Sequence, residues 1–483
     1  MSKLTKSFSY RLYANRFGLL AFTCLSLITA VVLANTQQRP KLPHPNDQVV
    51  TISSKLSQTK LIQNEINTVY LDVNITPPSI DTRQSKQRSS DIIVILDRSG
   101  SMSEAKKMTY AKAAINDLLS RLNDQDRFAL ISFANEATVH STLTTVDAKQ
   151  REQLQTMVNN IHSGGGTNIG AGLNSAAHLL SNKLQNRSSK VILLSDGQAN
   201  HGITDLNGLS RIVAKLTQQE SVLSSVGMGL DFNETLMSSL ADYGMGTYAY
   251  LENLSGLGEI FANNLNATRN IFAANSTVQL KLPNGIELID AGGYPITNNS
   301  AHNYEIKTGQ LLSNGNKKFV MTFKVKASEN GNIPLGNMCL TYQSQGKSYQ
   351  QDLSQKPLML AIVAPEKRQE AIASIDQGVY KQSVLKNNLG RMQKKLSHWL
   401  REGDKDKANQ VINEYRDEIS KAEQQAAMPM ASIAMDDKLN ELESSVTEAF
   451  SGNSMDQEVK RKRAAKSIQM HSIKEQRILE TNQ

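Results

Sequence analysis

The feature that most constrains the fold is the alternation of short apolar runs with amphipathic segments between residues 91 and 271. The runs IIVIL, RFALISF and KVILLS have the length and composition of buried strands, and segments such as KKMTYAKAAINDLLSRL have apolar residues at helical spacing. Strands that are apolar at nearly every position are typical of parallel sheets with helices on both faces. We therefore predict that residues 91–271 form a doubly wound, mostly parallel, Rossmann-like α/β domain.

The segments on both sides of this domain have the pattern of antiparallel β-structure. Residues 48–90 contain the alternating runs VVTISSKL and NTVYLDVNI, and residues 272–363 contain runs such as STVQLKLP and KKFVMTFKVKA between Pro and Gly-Asn turns. The few strands of the first segment cannot bury a core by themselves. We therefore predict that the two segments form one β-sandwich and that the α/β domain is inserted in it.

The chain from residue 364 to residue 483 is predicted to be helical, with a hairpin or short coiled coil. Apolar residues recur there at intervals of three and four, the spacing of one helix face, at Leu385, Leu389, Met392, Leu396 and Trp399. The basic run VKRKRAAK, residues 459–466, has acidic neighbours in the sequence. We interpret this run as a solvated helix face.

The N-terminus has the features of an export signal. Basic residues precede an apolar run of 17 residues, 18–34, which ends in small residues. We predict that residues 1–34 are a signal peptide cleaved after Ala34. The alternative is an uncleaved N-terminal membrane anchor, for which the run is short. Residues 35–47 contain three prolines and are predicted to be a linker. Both alternatives place the remaining chain in the periplasm or outside the cell, attached to the membrane in the second case.

The charge of the chain does not favour a nucleic-acid partner. The 53 Lys and Arg residues exceed the 45 Asp and Glu residues by 8. Four of the basic residues lie in the first 34 residues, so 49 basic residues stand against 45 acidic ones in the remainder. An excess of this size on a chain of this length does not form the basic surface that a polyanion needs.

Five side chains with oxygen atoms are expected at the carboxyl edge of the predicted sheet. Asp97, Ser99 and Ser101 come directly after the strand IIVIL, Thr167 follows the turn SGGG, and Asp196 follows the strand KVILLS. Open α/β sheets bind ligands at this edge. Carboxylates and hydroxyls without Cys or His suit Mg²⁺, Mn²⁺ or Ca²⁺, and hydroxyls with water fit octahedral Mg²⁺. An open coordination position on such an ion can accept an acidic group from a partner.

The pattern Asp-x-Ser-x-Ser, a distant Thr and a distant Asp resembles the metal-ion-dependent adhesion site of the von Willebrand factor A (VWA) family. The resemblance covers residues 91–270, and all five positions of the pattern are present. It implies that the serines and the threonine bind the ion by their hydroxyls, that the aspartates bind it directly or through water, and that an Asp or Glu of a protein partner completes the shell. The wider arrangement is similar to that of bacterial VWA proteins related to inter-alpha-trypsin inhibitor heavy chains.

No catalytic motif accompanies this site. The segment SGGGTNIGAGLN lacks the spacing of a phosphate-binding loop, no Gly-x-Ser-x-Gly surrounds Ser99 or Ser101, and the sequence contains no His-Glu-x-x-His. No general base or nucleophile is evident beside the five residues. We therefore do not expect an enzyme.

Two functions stay open at this point. The first is an exported, metal-dependent protein-binding or adhesion protein that captures an acidic side chain of a protein partner through the cation. The second is a structural or chaperone-like factor of the cell envelope, in which the metal only stabilises the fold. The pattern identifies the metal-site rim as the partner-binding surface but not which rim residues contact the partner.

Overall fold

The computed structural model describes residues 50–79, 89–181, 187–252, 254–313, 315–344, 346–430 and 433–481. The predicted signal peptide or anchor, residues 1–34, and the predicted linker, residues 35–47, lie outside the described residues. Among the described residues, no helix combines the length and the apolar character needed to cross a membrane.

The first described strands belong to a β-sandwich. They are β1 (Thr51–Leu56), β2 (Lys60–Ile62) and β3 (Ile66–Thr76). β1 and β3 pair antiparallel along the whole of β1. The chain then leaves the sandwich and enters the α/β domain.

The α/β domain is built on a six-stranded sheet. Its strands are β4 (Ser90–Asp97), β5 (Arg127–Phe133), β6 (Ala137–Thr145), β7 (Ser188–Ser195), β8 (Ser221–Met228) and β9 (Met245–Leu251). Its helices are α1 (Lys107–Arg121), α2 (Ala148–Asn159), α3 (Ile169–Leu180), α4 (Leu206–Gln218), α5 (Glu234–Tyr243) and α6 (Leu257–Arg269). The strand order is β6-β5-β4-β7-β8-β9, and neighbours are parallel except for β5 and β6. The predicted doubly wound, mostly parallel sheet is confirmed.

The central strand β4 shows why this sequence forms a parallel sheet. Its apolar residues from 92 to 96 have no exposed surface. Ile92, Val94 and Leu96 pack with residues of α1 and α6 on one face of the sheet, whereas Ile93 and Ile95 pack with residues of α3 and α4 on the other face. Because side chains alternate along a strand, burial on both faces requires an apolar residue at every position.

Four helices of this domain begin at side-chain caps. In each case an Asp or Asn side chain accepts a hydrogen bond from the backbone N–H three residues further on, which satisfies one of the free donors of the first turn. The capping residues are Asp147, Asn168, Asp205 and Asn233. Asn168 directly follows Thr167, so the start of α3 also fixes the backbone at one of the predicted site residues.

After α6 the chain returns to the sandwich and completes it. The added strands are β10 (Ile271–Lys281), β11 (Ile286–Ala291), β12 (Ile296–Ser300), β13 (Asn303–Leu312), β14 (Gly315–Lys326), β15 (Gly331–Pro334), β16 (Asn337–Ser344), β17 (Lys347–Asp352) and β18 (Met359–Val363). One sheet has the order β1-β3-β14-β11, a second has the order β12-β13-β10-β16-β17, and β15, β18 and β2 form a small third sheet.

The pairing of β3 with β14 joins the two predicted β segments. The two strands run antiparallel in unbroken register from Ile66 opposite Lys326 to Ile75 opposite Lys317. Val69, Leu71 and Val73 of β3 lie in one buried core with residues of both larger sheets. The prediction of one sandwich with an inserted α/β domain is therefore confirmed.

The C-terminal region is helical, as predicted, but it ends in a strand. Its helices are α7 (Arg368–Ala373), α8 (Gln377–Gln382), α9 (Asn388–Glu402), α10 (Lys405–Ala426), α11 (Ile433–Ala449) and α12 (Ser454–Gln476). Leu389, Met392 and Leu396 of α9 are buried against apolar residues of α10, α11 and α12, so the region is a bundle and larger than a hairpin. The last strand, β19 (Ile478–Thr481), pairs antiparallel with β14 of the sandwich.

The basic run in α12 contacts the α/β domain. Three of its cations form ion pairs with acidic residues of that domain: Lys462 with Asp231 (3.2 Å), Arg463 with Glu252 (2.6 Å) and Lys466 with Glu234 (2.7 Å). The side chains of Lys466 and Glu234 are only 2% and 6% exposed. The interpretation of this run as a solvated face is therefore wrong at Lys466, because its partner is supplied by a part of the chain more than two hundred residues away.

Strand β7 carries a buried lysine, Lys190. Lys190 has no exposed surface, and its Nζ has no hydrogen-bond partner within the part of the chain that the structure describes. Burial lowers the pKa of Lys190 from 10.5 to about 7. The buried Lys317 of the sandwich differs, because its Nζ donates to the carbonyl oxygens of Thr308 and Gln310.

We predict that Lys190→Met increases the free energy of unfolding by about 1–3 kcal/mol at pH 7, because an apolar side chain of similar length replaces an amine that is costly to bury. Between pH 7 and 10.5 the unfolded chain holds a proton on Lys190 that the folded chain has lost, so the stability of the wild type rises with pH. The advantage of the variant therefore shrinks as the pH rises toward 10.5.

Urea unfolding at pH 7 and at about pH 9.5 measures both effects, with Lys149→Met, an exposed lysine of α2, as the matched control. A variant that is less stable than the wild type at pH 7 would show that Lys190 is held by an interaction worth more than its desolvation.

Candidate metal centre

Strand β4 ends at a buried carboxylate whose two oxygens are both hydrogen-bonded. Asp97 is 0% exposed. Its Oδ1 accepts a hydrogen bond from the backbone N–H of Ser99 (2.8 Å), and its Oδ2 accepts one from the hydroxyl of Ser195 (2.6 Å). Ser195 is the last residue of β7, so this carboxylate joins the ends of two neighbouring parallel strands.

A chain of hydrogen bonds continues from the serines to the second carboxylate. The hydroxyl oxygens of Ser99 and Ser101 lie 3.1 Å apart, and the Ser101 hydroxyl donates to Oδ1 of Asp196 (2.8 Å). Asp196 follows β7 and, like Asp97, is 0% exposed. Four of the five predicted residues, Asp97, Ser99, Ser101 and Asp196, are therefore linked in series by direct hydrogen bonds.

Thr167 reaches the same place on a glycine-rich loop that is bound to its two neighbours. The backbone N–H of Thr167 donates to the side-chain oxygen of Asn200 (2.8 Å), and its carbonyl accepts from the N–H of Asn200 (3.1 Å). On the other side, Gly100 N–H donates to Gly165 O (3.0 Å) and Gly164 N–H donates to Arg98 O (2.7 Å). Gly165 has a φ of +90°, a conformation that favours glycine.

The close approach of the three loops depends on Gly197. A Cβ atom at this position would lie 3.2 Å from the Thr167 hydroxyl oxygen and 3.9 Å from Oδ2 of Asp97. Gly197 therefore lies close to both Thr167 and Asp97, and a side chain there would crowd the Thr167 hydroxyl. The structure thus brings together all five residues predicted from the sequence: Asp97, Ser99, Ser101, Thr167 and Asp196.

Burial controls the charge at this site. The pKa of Asp97 is raised from 3.8 to about 6, chiefly by burial. The hydrogen bonds from Ser195 and Ser99 lower this pKa, and the nearby carboxylate of Asp196 raises it. Two carboxylates held close together away from water repel each other and attract a cation.

The set of donors suits a hard divalent cation. It consists of two carboxylates and three hydroxyls, all oxygen ligands of the kind that Mg²⁺, Mn²⁺ and Ca²⁺ prefer. Within the described ranges, no three His, Cys, Asp or Glu side chains come together as a possible metal-binding group. A cation here would therefore need the hydroxyls of Ser99, Ser101 and Thr167 in addition to the two aspartates.

Two residues beside the site were not predicted from the sequence. Ser195 was assigned to its strand, although a polar residue at the end of an apolar strand is a recognisable feature. Lys107 belongs to the amphipathic segment KKMTYAKAAINDLLSRL, yet its side chain is 6% exposed and its Nζ lies 2.6 Å from Oδ2 of Asp196. No sequence pattern indicates that contact, because it depends on the path of the backbone before α1.

Comparison with known sequences identifies the α/β domain. The sequence model of the von Willebrand factor type A domain matches residues 91–263. These residues form a VWA domain. The uncharacterized protein YfbK of Escherichia coli is 26% identical over 177 residues, which cover 36% of this chain and 30% of YfbK. Inter alpha-trypsin inhibitor heavy chain 4 of Mus musculus is 31% identical over 160 residues, 32% of this chain and 17% of the relative. The chain therefore spans less than a third of the length of either relative.

Comparison with solved structures extends the likeness to the other domains. A von Willebrand factor type A protein from Catenulispora acidiphila superposes with a TM-score of 0.65 at 16% identity, covering 89% of this chain and 98% of the other. The ArnB paralog VWA2 from Sulfolobus acidocaldarius gives a TM-score of 0.53 at 17% identity, covering 88% and 99%. At this identity the likeness shows a shared fold, which includes the sandwich and the helical region beside the VWA domain.

We predict that Ser195→Ala lowers the free energy of unfolding by about 1–3 kcal/mol, because it removes a hydroxyl donor from the buried carboxylate of Asp97. Chemical denaturation measures the change, and Ser120→Ala, at an exposed serine of α1, is the matched control. Equal stability of the two variants would mean that Oδ2 of Asp97 is satisfied without Ser195.

Proposed function

We propose that this chain is an exported protein-binding or adhesion protein that captures an acidic side chain of a protein partner through a divalent cation. VWA domains typically mediate protein–protein interactions, and residues 91–263 form such a domain. The observation that supports the proposal most strongly is the linkage of Asp97, Ser99, Ser101 and Asp196 by hydrogen bonds, with Thr167 adjacent to them.

The proposed ligands of the cation are these five residues, and the proposed cation is Mg²⁺, with Mn²⁺ or Ca²⁺ as alternatives. Such an ion supplies a Lewis-acidic position at which a carboxylate oxygen of the partner can replace water. The residues of this chain hold the five oxygens in place: Ser195 and the Ser99 N–H orient Asp97, and Asn200 fixes the backbone of Thr167. The rim of this site is the proposed partner-binding surface.

Recognition of a carboxylate follows from the charges around the site. Without a divalent cation, Asp97 and Asp196 together with Lys107 leave a net charge of −1 at the site, which would repel an approaching Asp or Glu. With a divalent cation present, the repulsion is reversed into attraction. Partner binding would then depend on the ion and not only on the shape of the rim.

The proposed location is the periplasm or the outside of the cell, with membrane attachment through residues 1–34 if that segment is retained. This part of the proposal depends on the basic and apolar N-terminal sequence. The proposed role is binding and not catalysis, because no motif for a nucleophile or general base accompanies the five residues.

We predict that partner proteins are retained by the immobilised chain in Mg²⁺ and released by EDTA. We also predict that Thr167→Ala weakens Mg²⁺ binding about tenfold or more, since one ligand oxygen is removed. Ser163→Ala, in the same loop but outside the donor set, is the matched control. Isothermal titration with Mg²⁺ gives the affinity, and mass spectrometry of the proteins retained with and without EDTA gives the partners.

The proposal would be contradicted if the wild type in EDTA and the Thr167→Ala variant both retain the same partners, and if the loss of the ion only lowers the melting temperature of the protein. That result would instead support a structural or chaperone-like factor of the cell envelope, since an ion that binds only the native state raises its stability by mass action.

A further inference from the structure

A lysine side chain lies inside the proposed cation site. Lys107 is the first residue of α1 and is 5% exposed. Its Nζ donates to Oδ2 of Asp196 (2.6 Å) and to the carbonyl oxygen of Ser101 (3.4 Å). The ammonium group of Lys107 therefore contacts two predicted metal ligands, the side chain of Asp196 and the backbone of Ser101.

The backbone before α1 directs this lysine toward the site. Ala105 and Lys106 have φ angles of 47° and 58°, a left-handed conformation that costs residues other than glycine about 1 kcal/mol or more each. These two residues turn the chain between the serine motif and the helix. As a consequence Lys106 is exposed, whereas Lys107 is buried.

The surroundings of Lys107 keep it at Asp196. A Cβ atom at Gly229 would lie 3.1 Å from the Cε of Lys107, so the stem passes close to the backbone that follows β8. The other acidic side chain near it, Glu104, is 70% exposed and 4.0 Å from the Nζ. The ion pair with Asp196, which has no exposed surface, is therefore the stronger of the two.

The carboxylate of Asp196 is shared between this lysine and the proposed cation. Its Oδ1 accepts from the Ser101 hydroxyl, on the side of the serine motif, and its Oδ2 accepts from Lys107. Two carboxylates and one ammonium give the site a net charge of −1, whereas the carboxylates alone would give −2. The attraction for a divalent cation is accordingly weaker with the lysine present.

We propose that Lys107 is a built-in cation that competes with the divalent ion for Asp196 and so lowers the divalent affinity of the site. The inference rests on the proposed function, in that it takes the five residues as the cation site. In protein without a divalent ion, the lysine neutralises Asp196. In protein with the ion, the charge of the lysine opposes the charge of the ion.

The test compares neutral substitutions of Lys107 with a control at the next residue. Lys107→Met removes the charge and the hydrogen bond, Lys107→Gln removes the charge but keeps a donor for Asp196, and Lys106→Met changes an exposed lysine of the same segment. The full chain is treated with EDTA, dialysed and titrated with Mn²⁺ and with Mg²⁺ by calorimetry. Thermal melting of the EDTA-treated proteins is the second measurement.

We expect both Lys107 variants to bind Mn²⁺ and Mg²⁺ about tenfold or more tightly than the wild type, since a like charge next to the ion is gone, and Lys106→Met to match the wild type. We also expect Lys107→Met to melt at a lower temperature than Lys106→Met in EDTA, because Asp196 loses its counter-ion. Addition of Mn²⁺ should restore the melting temperature of Lys107→Met.

If Lys107→Gln binds the ions as weakly as the wild type or more weakly, the inference is overturned, because Lys107 then serves to position Asp196. That result leaves the proposed function intact as long as the wild type binds the ions. If the wild type and both Lys107 variants bind none, the inference and the proposed cation site fail together. If only the Lys107 variants bind, the inference is supported and the metal-dependent function of the wild type is excluded.

Discussion

The carboxyl edge of the α/β sheet is organised around the burial of two carboxylates, Asp97 and Asp196. An ionised carboxylate away from water is stable only when hydrogen bonds and opposite charges replace the lost solvent. Asp97 receives its donors from Ser195 and Ser99, and Asp196 receives its donors from Ser101 and Lys107. Because these donors come from three separate stretches of the chain, the ends of β4 and β7 and the start of α1 must meet at one place.

The features that the sequence could predict depend on local patterns combined with one topological rule. Unbroken apolar runs such as IIVIL mark strands buried on both faces, and the rule that parallel strands present their carboxyl ends at the same edge brings Asp97 and Asp196 together. The strand β6 was not predicted. It is an antiparallel edge strand with no buried residue. Its only apolar residues are Ala137, Val139 and Leu143, too few for the alternation to stand out among the surrounding threonines and serines.

The contacts that the sequence could not predict depend on long-range partners or on backbone angles. Lys107 reaches Asp196 only because Ala105 and Lys106 adopt positive φ angles, and neither residue type indicates such a turn as a glycine would. The ion pair of Lys466 with Glu234 joins residues more than two hundred positions apart. A basic run beside acidic sequence neighbours does not indicate whether one of its lysines faces solvent or a carboxylate that is distant in the sequence.

The sequence of the β-sandwich is interrupted twice, once by the VWA domain and once by the helical region. The VWA domain leaves it after β3 and returns at β10, and the helical region leaves it after β18 and returns at β19. Both β3 and β19 pair with β14, and the buried pair of Lys466 with Glu234 ties the helical region to the VWA domain. The VWA domain is therefore joined to the rest of the chain by this buried ion pair in addition to its two chain connections. A mechanical load on the VWA domain would reach the sandwich through β3 and β10, each of which is hydrogen-bonded to a neighbouring strand on both sides.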